Sequence, residues 1–367
     1  MTRPAVLFGG PSPEHDVSIL TGLLAARALA TSGTAVDAIY WSKSGDFFEV
    51  DAGLEGEAFL QGVPAGAREV RLAVGEGFVA GGGGFGRKAR PLEIDALVNC
   101  CHGGPGEDGT LQGLLDLAGI RYTGPSVAGA ALGMDKLAFA SVCERAGLPH
   151  LPVVAVDPTD PGDAPFDGPF IVKPRFGGSS IGIETFEAWD DVAAFVRAPN
   201  TLLRRGGVVE PFRPDAEDVE IAIRRFPELE LSAISRVEKK GAIFDYRNKY
   251  VPGEGMTSAG RETPARLPGD LDDAARRAAT KVATLAVVRG VARLDFLLVG
   301  EELFVNEINT VPGSLSKHLW VEPEIAFATL LTDMVREATT GPGPAYSSEG
   351  ADGSILRSAA SIAAKLG

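Results

Sequence analysis

Arg293-Leu-Asp295-Phe-Leu-Leu-Val-Gly-Glu-Glu-Leu-Phe-Val-Asn-Glu307-Ile-Asn309 reads as two strands around a turn at 300–302. If Val299 faces Leu303, Asp295 lies opposite Glu307 and Arg293 opposite Asn309. Side chains alternate between the two faces of a strand, so these four share one surface while Leu294, Phe296, Leu298 and Ile308 alternate with them. Two carboxylates and an amide oxygen side by side make a hard-oxygen site suited to Mg²⁺, which prefers a few carboxylates together with nucleotide phosphates. Arg293 beside them suits negative charge on a reacting group. The same pattern also describes a solvated sheet face with cross-strand ion pairs, which contribute little. The following residues, Thr310-Val-Pro312-Gly313-Ser314, form a turn whose backbone N–H groups can face that surface, with Gly313 as candidate oxyanion donor.

Upstream, Phe170-Ile-Val-Lys173-Pro-Arg-Phe-Gly177-Gly178-Ser179-Ser180-Ile-Gly182 sets a lysine at the end of an apolar strand, before a Gly/Ser loop and a second strand. It is not a Walker A motif. Its glycines let backbone N–H groups approach a polyphosphate and its lysine supplies a point charge, although alone it reads as an ordinary hairpin turn. Met134-Asp135-Lys136 adds a second lysine that, with Lys173, can bracket the α- and β-phosphates; the alternative is a solvent-exposed helix lysine. At the front, Gly9-Gly10-Pro-Ser-Pro-Glu14-His15-Asp16 places a carboxylate at a strand-to-helix loop where a substrate ammonium can be held. As a lone feature, Glu14 or Asp16 is a helix-start residue favoured by the macrodipole.

A chain of 367 residues with 45% apolar content suits two or three compact lobes rather than one core. Mean hydropathy of +0.08 is far from membrane level. No window reaches the roughly 18 apolar residues of a spanning helix, and the apolar run at 5–10 is too brief for a signal peptide, so the expected location is cytoplasmic, with no membrane partner. The net charge of −14 excludes nucleic acid as the expected partner. Cys100, Cys101 and Cys143 are odd in number and two are adjacent, which argues for buried structural thiols rather than disulfides. Cys100, Cys101 and His102 do not converge easily on zinc, because neighbours on a strand point to opposite faces.

The coarse reading is α/β followed by α+β. Strands at 5–8, 36–41 and 96–100 with a helix carrying Val17, Leu20, Leu23 and Leu24 on one face make a first lobe, 1–124, in which the Gly-rich 75–86 stretch is a hairpin tip. A small lobe, 125–209, has one helical stretch at 127–146 and strands at 153–156, 170–173 and 181–185. A third, 210–340, has strands at 219–223, 231–237, 292–299 and 303–309, a polar loop at 246–268 and a helix at 272–288. Residues 341–367 read as a flexible tail.

These segments resemble the D-alanine–D-alanine ligases of the ATP-grasp superfamily from Val6 to about Pro323. The resemblance is carried by Phe8-Gly-Gly-Pro-Ser-Pro-Glu14-His-Asp-Val-Ser18, His102-Gly-Gly-Pro-Gly-Glu107-Asp-Gly-Thr-Leu-Gln-Gly113, Gly133-Met-Asp-Lys136, the Lys173 to Gly182 loop, Phe244-Asp-Tyr-Arg-Asn-Lys249-Tyr250 and the Arg293 to Gly313 segment. It implies a three-lobed ATP-grasp architecture with an N-terminal Rossmann-like parallel-sheet domain. ATP would lie between the second and third lobes, with Lys136, Lys173, Ser180 and Lys249 toward it, Glu210 near the adenine and Asp218 near the ribose. Asp295, Glu307 and Asn309 would hold two Mg²⁺ ions, with Mn²⁺ as a replacement. The implied reaction phosphorylates one amino acid's carboxylate, and the second amino acid's amine then attacks the acyl phosphate. Arg293 and the Gly313 amide would hold the tetrahedral oxyanion.

The resemblance also implies that Glu14 binds the first ammonium with support from His102. Ser179 and Tyr250 would hydrogen-bond with Glu14 to fasten the 246–268 loop as a lid that excludes water. Ser316, His318 and Leu319 would face the second substrate. The family usually has Ser at the position of His318, so His318 is expected to set second-substrate choice. Tyr250 favours an amine acceptor over a hydroxy acid, hence D-alanyl-D-alanine for peptidoglycan, made by a homodimer. The alternatives are an ATP-grasp amide ligase with another second substrate and an inactive nucleotide-binding regulatory protein.

Overall fold

The computed structural model describes residues 3–81, 90–237, 260–343, 346–358 and 362, whose strands form three sheets. The first contains β1 (Pro4–Gly9), β2 (Asp37–Trp41), β3 (Phe47–Val50), β4 (Arg68–Ala73), β5 (Gly77–Ala80), β6 (Arg90–Pro91) and β7 (Ala96–Asn99), in the order β6-β5-β4-β3-β2-β1-β7. β1 pairs in parallel with β2 and β7, which is the Rossmann-like centre expected. The edge from β3 to β6 is antiparallel, and β5 occupies part of the Gly-rich stretch read as a hairpin tip. Helix α1 (His15–Thr31) crosses between β1 and β2. Gly22 lets it lie on the sheet, because a Cβ there would collide with the Phe8 ring. Leu20, expected on the buried face, is 57% exposed at the edge of the central cavity.

After β7 the chain forms α2 (Gly104–Glu107), α3 (Thr110–Ala118), α4 (Val127–Met134) and α5 (Lys136–Arg145). The single helix expected over 127–146 is broken at Asp135. That side chain accepts hydrogen bonds from the N–H groups of Leu137 (3.1 Å) and Ala138 (3.2 Å), a cap that starts a new helix. Asp135 also receives Arg175 Nε at 2.7 Å, which ties α5 to the second sheet.

That sheet is antiparallel, β10-β9-β11-β8, from β8 (Val154–Val156), β9 (Phe170–Pro174), β10 (Glu184–Phe186) and β11 (Gly207–Pro211), with α6 (Trp189–Arg197) packed on it. β11 runs across residue 209, where the lobe boundary was expected. The third sheet, β14-β13-β12-β15-β16, comprises β12 (Glu217–Arg224), β13 (Glu230–Val237), β14 (Arg261–Glu262), β15 (Val291–Val299) and β16 (Glu302–Asn309). Its core takes in α7 (Leu271–Leu285) and, from the stretch assigned to the middle lobe, Phe139 and Cys143 of α5. Helix α8 (Phe327–Thr340), assigned to the third lobe, packs on the first sheet instead: Leu330, Leu331, Met334 and Val335 share a core with Val6, Phe8 and Leu23. Local composition carries no sign of a chain that returns to an earlier layer. A short helix, α9 (Ser354–Ser358), lies near the end.

The β15–β16 register holds a compensating irregularity. Asp295 pairs with Glu307 and Arg293 with Asn309, as read from the sequence, yet Val299 pairs with Glu302 and not Leu303. The turn is one residue tighter than expected, and a bulge between Asp295 and Phe296, at the level of Asn306, restores the offset. Asn306 and Glu307 are both half-buried in consequence, and both line the cavity.

Candidate active site

One cavity of about 390 Å³ is walled by the second and third sheets, by the segments that follow their strands, and by α1 and the loops after β1 and β7. Glu14, His102, Lys136, Lys173, Ser179, Ser180, Glu210, Asp218, Arg293, Asp295, Glu307, Asn309, Gly313 and His318 all line it. Lys249 and Tyr250 lie outside the described residues.

At one end, Ser179 Oγ donates to Glu14 Oε1, joining the loop after β9 to the loop after β1. Ser179 (φ 53°) and Ser180 (φ 57°) are both left-handed, a conformation that costs non-glycine residues about 1–2 kcal/mol each. Strain of this kind gathers where backbone is shaped around a ligand. Gly103 (φ 61°) is required beside them, since a Cβ there would collide with Glu14 Oε2.

The cations sit in the middle. Lys136 Nζ donates to the Gly177 carbonyl and lies 3.6 Å from Glu307 Oε2. Lys173 Nζ is 2.6 Å from Glu210 Oε2, and both residues are buried. Lys173 and Glu210 face one another diagonally across β9 and β11, where Lys173 pairs with Val208 and Glu210 with Ile171.

Opposite them is the polar face of β15 and β16. Arg293 grips Asp295 with two hydrogen bonds, 2.6 and 2.7 Å, and its Nε lies 3.0 Å from Glu220 Oε2. Asn309 Nδ2 donates to Asp295 Oδ2 at 2.9 Å, which leaves the amide oxygen as an acceptor. Burial, opposed by Arg293 and reinforced by the charges of Glu220 and Glu307, pushes Asp295 up to about 6. Among the described residues no group of three or more His, Cys, Asp or Glu side chains could hold an ion alone. The donor set fits Mg²⁺ when the Asn309 oxygen and ligand oxygens complete it.

His102 does something other than face a substrate with a free nitrogen. Its Nδ1 is 2.7 Å from the Val311 carbonyl, which can only accept, so the ring proton belongs there. Nε2 then accepts from Thr21 Oγ1 (2.8 Å), and Thr21 Oγ1 accepts from the Ser314 N–H (3.1 Å). Burial holds this ring neutral, with its pKa down to about 4. Both nitrogens are consumed in fixing the 311–314 turn beside Gly313.

Ser316 and Leu319 do not line the cavity. Ser314, Leu315 and Ser316 are left-handed (φ 48, 49 and 52°), which turns this stretch into the core, where Ser316 and Leu319 are fully buried. Ser316 Oγ has no hydrogen-bond partner among the described residues. Sequence reasoning also missed Glu220 and Arg261. Glu220 was visible as a carboxylate inside the apolar run Val219-Glu220-Ile221-Ala222, but nothing marked its partners.

Two family models cover most of the chain: D-ala D-ala ligase N-terminus matches residues 3–125 and D-ala D-ala ligase C-terminus matches residues 144–336. The chain belongs to the D-alanine–D-alanine ligase family. Membership makes it an ATP-dependent ligase that uses ATP and metal and acts on small amino acid substrates, built on the ATP-grasp fold. A curated family relative, the D-alanine–D-alanine ligase of Mycolicibacterium smegmatis, is 32% identical over 368 residues, covering 92% of this chain and 95% of the relative. Among solved structures, the D-alanine–D-alanine ligase from Coxiella burnetii matches with TM-score 0.74 at 22% identity, over 92% of this chain and 95% of that one. D-alanyl-alanine synthetase A from Vibrio cholerae matches with TM-score 0.75 at 22% identity, over 93% and 99%. Against this family background His318 stands out, for it is bound to Arg261 and Glu220 at the end of the cavity nearest Arg293. No helix among the described residues is long and apolar enough to cross a membrane.

Proposed function

We propose that this chain joins two amino acids in an ATP-dependent reaction through an acyl phosphate, with D-alanine and D-alanine as substrates and D-alanyl-D-alanine for peptidoglycan as product. The observation that carries this reading is the convergence on one cavity of Glu14, the two lysines and the Arg293–Asp295–Glu307–Asn309 face. Glu14, tied to Ser179, holds the first ammonium; Lys136, Lys173 and Ser180 receive the phosphates, and Glu210 and Asp218 the nucleoside. Asp295, Glu307 and Asn309 hold two Mg²⁺ ions, replaceable by Mn²⁺. Bound there, the ions neutralise phosphate charge and order its oxygens. Arg293 and the Gly313 amide hold the carbonyl oxygen as it gains charge on attack by the amine, which expels phosphate.

The same proposal divides the chain into lobes at 1–124, 125–209 and 210–340 with a tail to 367, with β11 and α8 packing across those bounds, and places a homodimer in the cytoplasm. His318, tied to Arg261 and Glu220, favours one further reading: an amide ligase with a different second amine. Phosphate release with ATP and Mg²⁺ across D- and L-amino acids, singly and in pairs, with products identified by mass spectrometry, tests both. D-alanyl-D-alanine from D-alanine alone supports the first. Turnover only with another amine supports the second, and silence on every pair defeats both.

A further inference from the structure

Resting on the reading of Lys136 as a phosphate ligand, we propose that Asp135 and Arg175 are positioning residues for the nucleotide. They lock Lys136 and the 177–180 loop into one frame. Neither lines the cavity, although Met134, Lys136, Pro174 and Gly177 on either side of them do. Asp135 Oδ1 accepts Arg175 Nε at 2.7 Å and Oδ2 accepts Nη2 at 2.6 Å, a two-point grip between matched planar groups. The backbones run together at the same place. Asp135 and Phe176 form an antiparallel bridge, the Lys136 N–H donates to the Arg175 carbonyl at 3.2 Å, and the Arg175 N–H donates to the Gly206 carbonyl at 3.0 Å.

Asp135 Oδ1 also caps α5 through the N–H groups of Leu137 and Ala138. One carboxylate thus fixes where α5 begins, and with it Lys136, the first residue of that helix. The same carboxylate fixes Arg175, and with it the start of the loop that carries Ser179 and Ser180. The Lys136 ammonium closes the frame by donating to the Gly177 carbonyl, which uses one of its three donors. A weaker brace reaches outward. The Phe176 ring lies 5.1 Å from Arg175 and 4.6 Å from Arg205, and Arg205 Nη1 is 3.3 Å from Asp108 Oδ2, just past α2. The Arg205 side chain is 59% exposed, so that outer pair contributes little. Asp135 is only 13% exposed, and the inner pair carries the positioning. Charges that must meet phosphate oxygens are sensitive to such support, since about 1 Å of misplacement can cost about 100-fold in rate.

The test titrates a non-hydrolysable ATP analogue with Mg²⁺ into wild type, Arg175→Gln, Asp135→Asn, Lys136→Met and the double variant Arg175→Gln/Lys136→Met, read by calorimetry. Asparagine is as good a helix cap as aspartate, so Asp135→Asn removes the ion pair and spares the cap. Arg175→Gln and Asp135→Asn should each weaken binding about tenfold. KM for ATP should rise by a like factor while KM for the donor amino acid, held at Glu14, stays unmoved. Because the pair acts through Lys136, Arg175→Gln placed on Lys136→Met should weaken binding no further. A merely structural role would weaken binding equally in either background and raise the donor KM as well. Additive loss in the double variant, or unchanged affinity in Arg175→Gln, overturns the proposal. Should Arg175→Gln fail to fold, Arg175→Lys keeps the charge but not the fork, and the same comparison with and without Lys136→Met decides. If wild type binds no nucleotide, the ligase reading falls first and this inference with it. Nucleotide binding without turnover on any amino acid defeats the ligase reading alone, and the titration still decides the role of the pair.

Discussion

Val311 donates its backbone N–H to Glu107 Oε1 at 2.8 Å across 204 positions of sequence, and Glu107 Oε2 accepts the Gly103 N–H at 2.9 Å. One buried carboxylate therefore joins the loop behind Glu14 to the turn that carries Gly313. Burial, and then the charge of Glu14, push Glu107 up to about 7, against the pull of its hydrogen bonds. The native state thus holds a proton that the unfolded chain releases near the ordinary glutamate value of 4.5. Between those two values stability falls as pH rises, because the native state binds more protons. The expected loss is about 3 kcal/mol, an order of magnitude from roughly 1.4 kcal/mol per unit. Thermal unfolding of wild type and Glu107→Gln from pH 5 to pH 8 checks it. The wild type should lose more stability across that window than the variant, and parallel curves would refute the assignment.

Gly103→Ala tests the other side of that loop. The position is left-handed, and a Cβ there meets Glu14 Oε2, so the change must displace the carboxylate proposed to hold the first ammonium. Backbone strain predicts a stability loss of about 1–3 kcal/mol. Displacement of Glu14 predicts a KM for the first amino acid raised about tenfold, since hydrogen bonds to charged groups contribute about 1.5–3 kcal/mol. Initial rates with the donor varied measure it. A loss of stability with the donor KM unmoved would remove Glu14 from the ammonium site.

How much of this was legible in the sequence divides along physical lines. The chemistry on β15 and β16 was readable because strand alternation fixes which side chains share a face. Even so, the assumed turn partner of Val299 was wrong, and a bulge that no propensity announces supplied the missing residue. The break at Asp135 followed from a capping side chain in an otherwise helical run, a signal present but overridden by apolar continuity. The membership of α8 in the first core and the Glu220–Arg261–His318 contacts depend on segments far apart in the chain, and local pattern has no access to these. Ser316 and Leu319 lie in the core and not at the cavity because three consecutive left-handed residues rotate the turn inward.

Lys173 and Glu210 allow stability and binding to be separated. The pair is buried, so removing one partner leaves an uncompensated charge, a cost of about 3–5 kcal/mol. Lys173→Met should therefore lower the unfolding midpoint and raise KM for ATP by about tenfold or more. Adding Glu210→Gln should recover most of the stability while leaving ATP binding weak. Calorimetric unfolding alongside nucleotide titration measures both. Recovery of ATP affinity in the double variant would mean that Lys173 serves only as a counter-ion to Glu210.

The last prediction concerns Asp295, Glu307 and Asn309, for which two physical readings compete. If the face merely pairs Arg293 with Asp295, then Asp295→Asn removes charge-assisted hydrogen bonds, costs about 1.5–3 kcal/mol and leaves the metal requirement alone. If it holds hard cations, chelation of divalent ions should abolish turnover, with Mg²⁺ or Mn²⁺ restoring it. Asp295→Asn and Glu307→Gln should then each reduce kcat by about 100-fold or more and shift half-maximal Mg²⁺ upward. Asn309→Ala removes the neutral oxygen and the 2.9 Å bond to Asp295, so it should weaken Mg²⁺ less than loss of either carboxylate. Isothermal titration of Mg²⁺ in the presence of a non-hydrolysable nucleotide gives a readout independent of turnover. Wild-type Mg²⁺ affinity in Asp295→Asn would assign the face to ion pairing and move the metal elsewhere in the cavity.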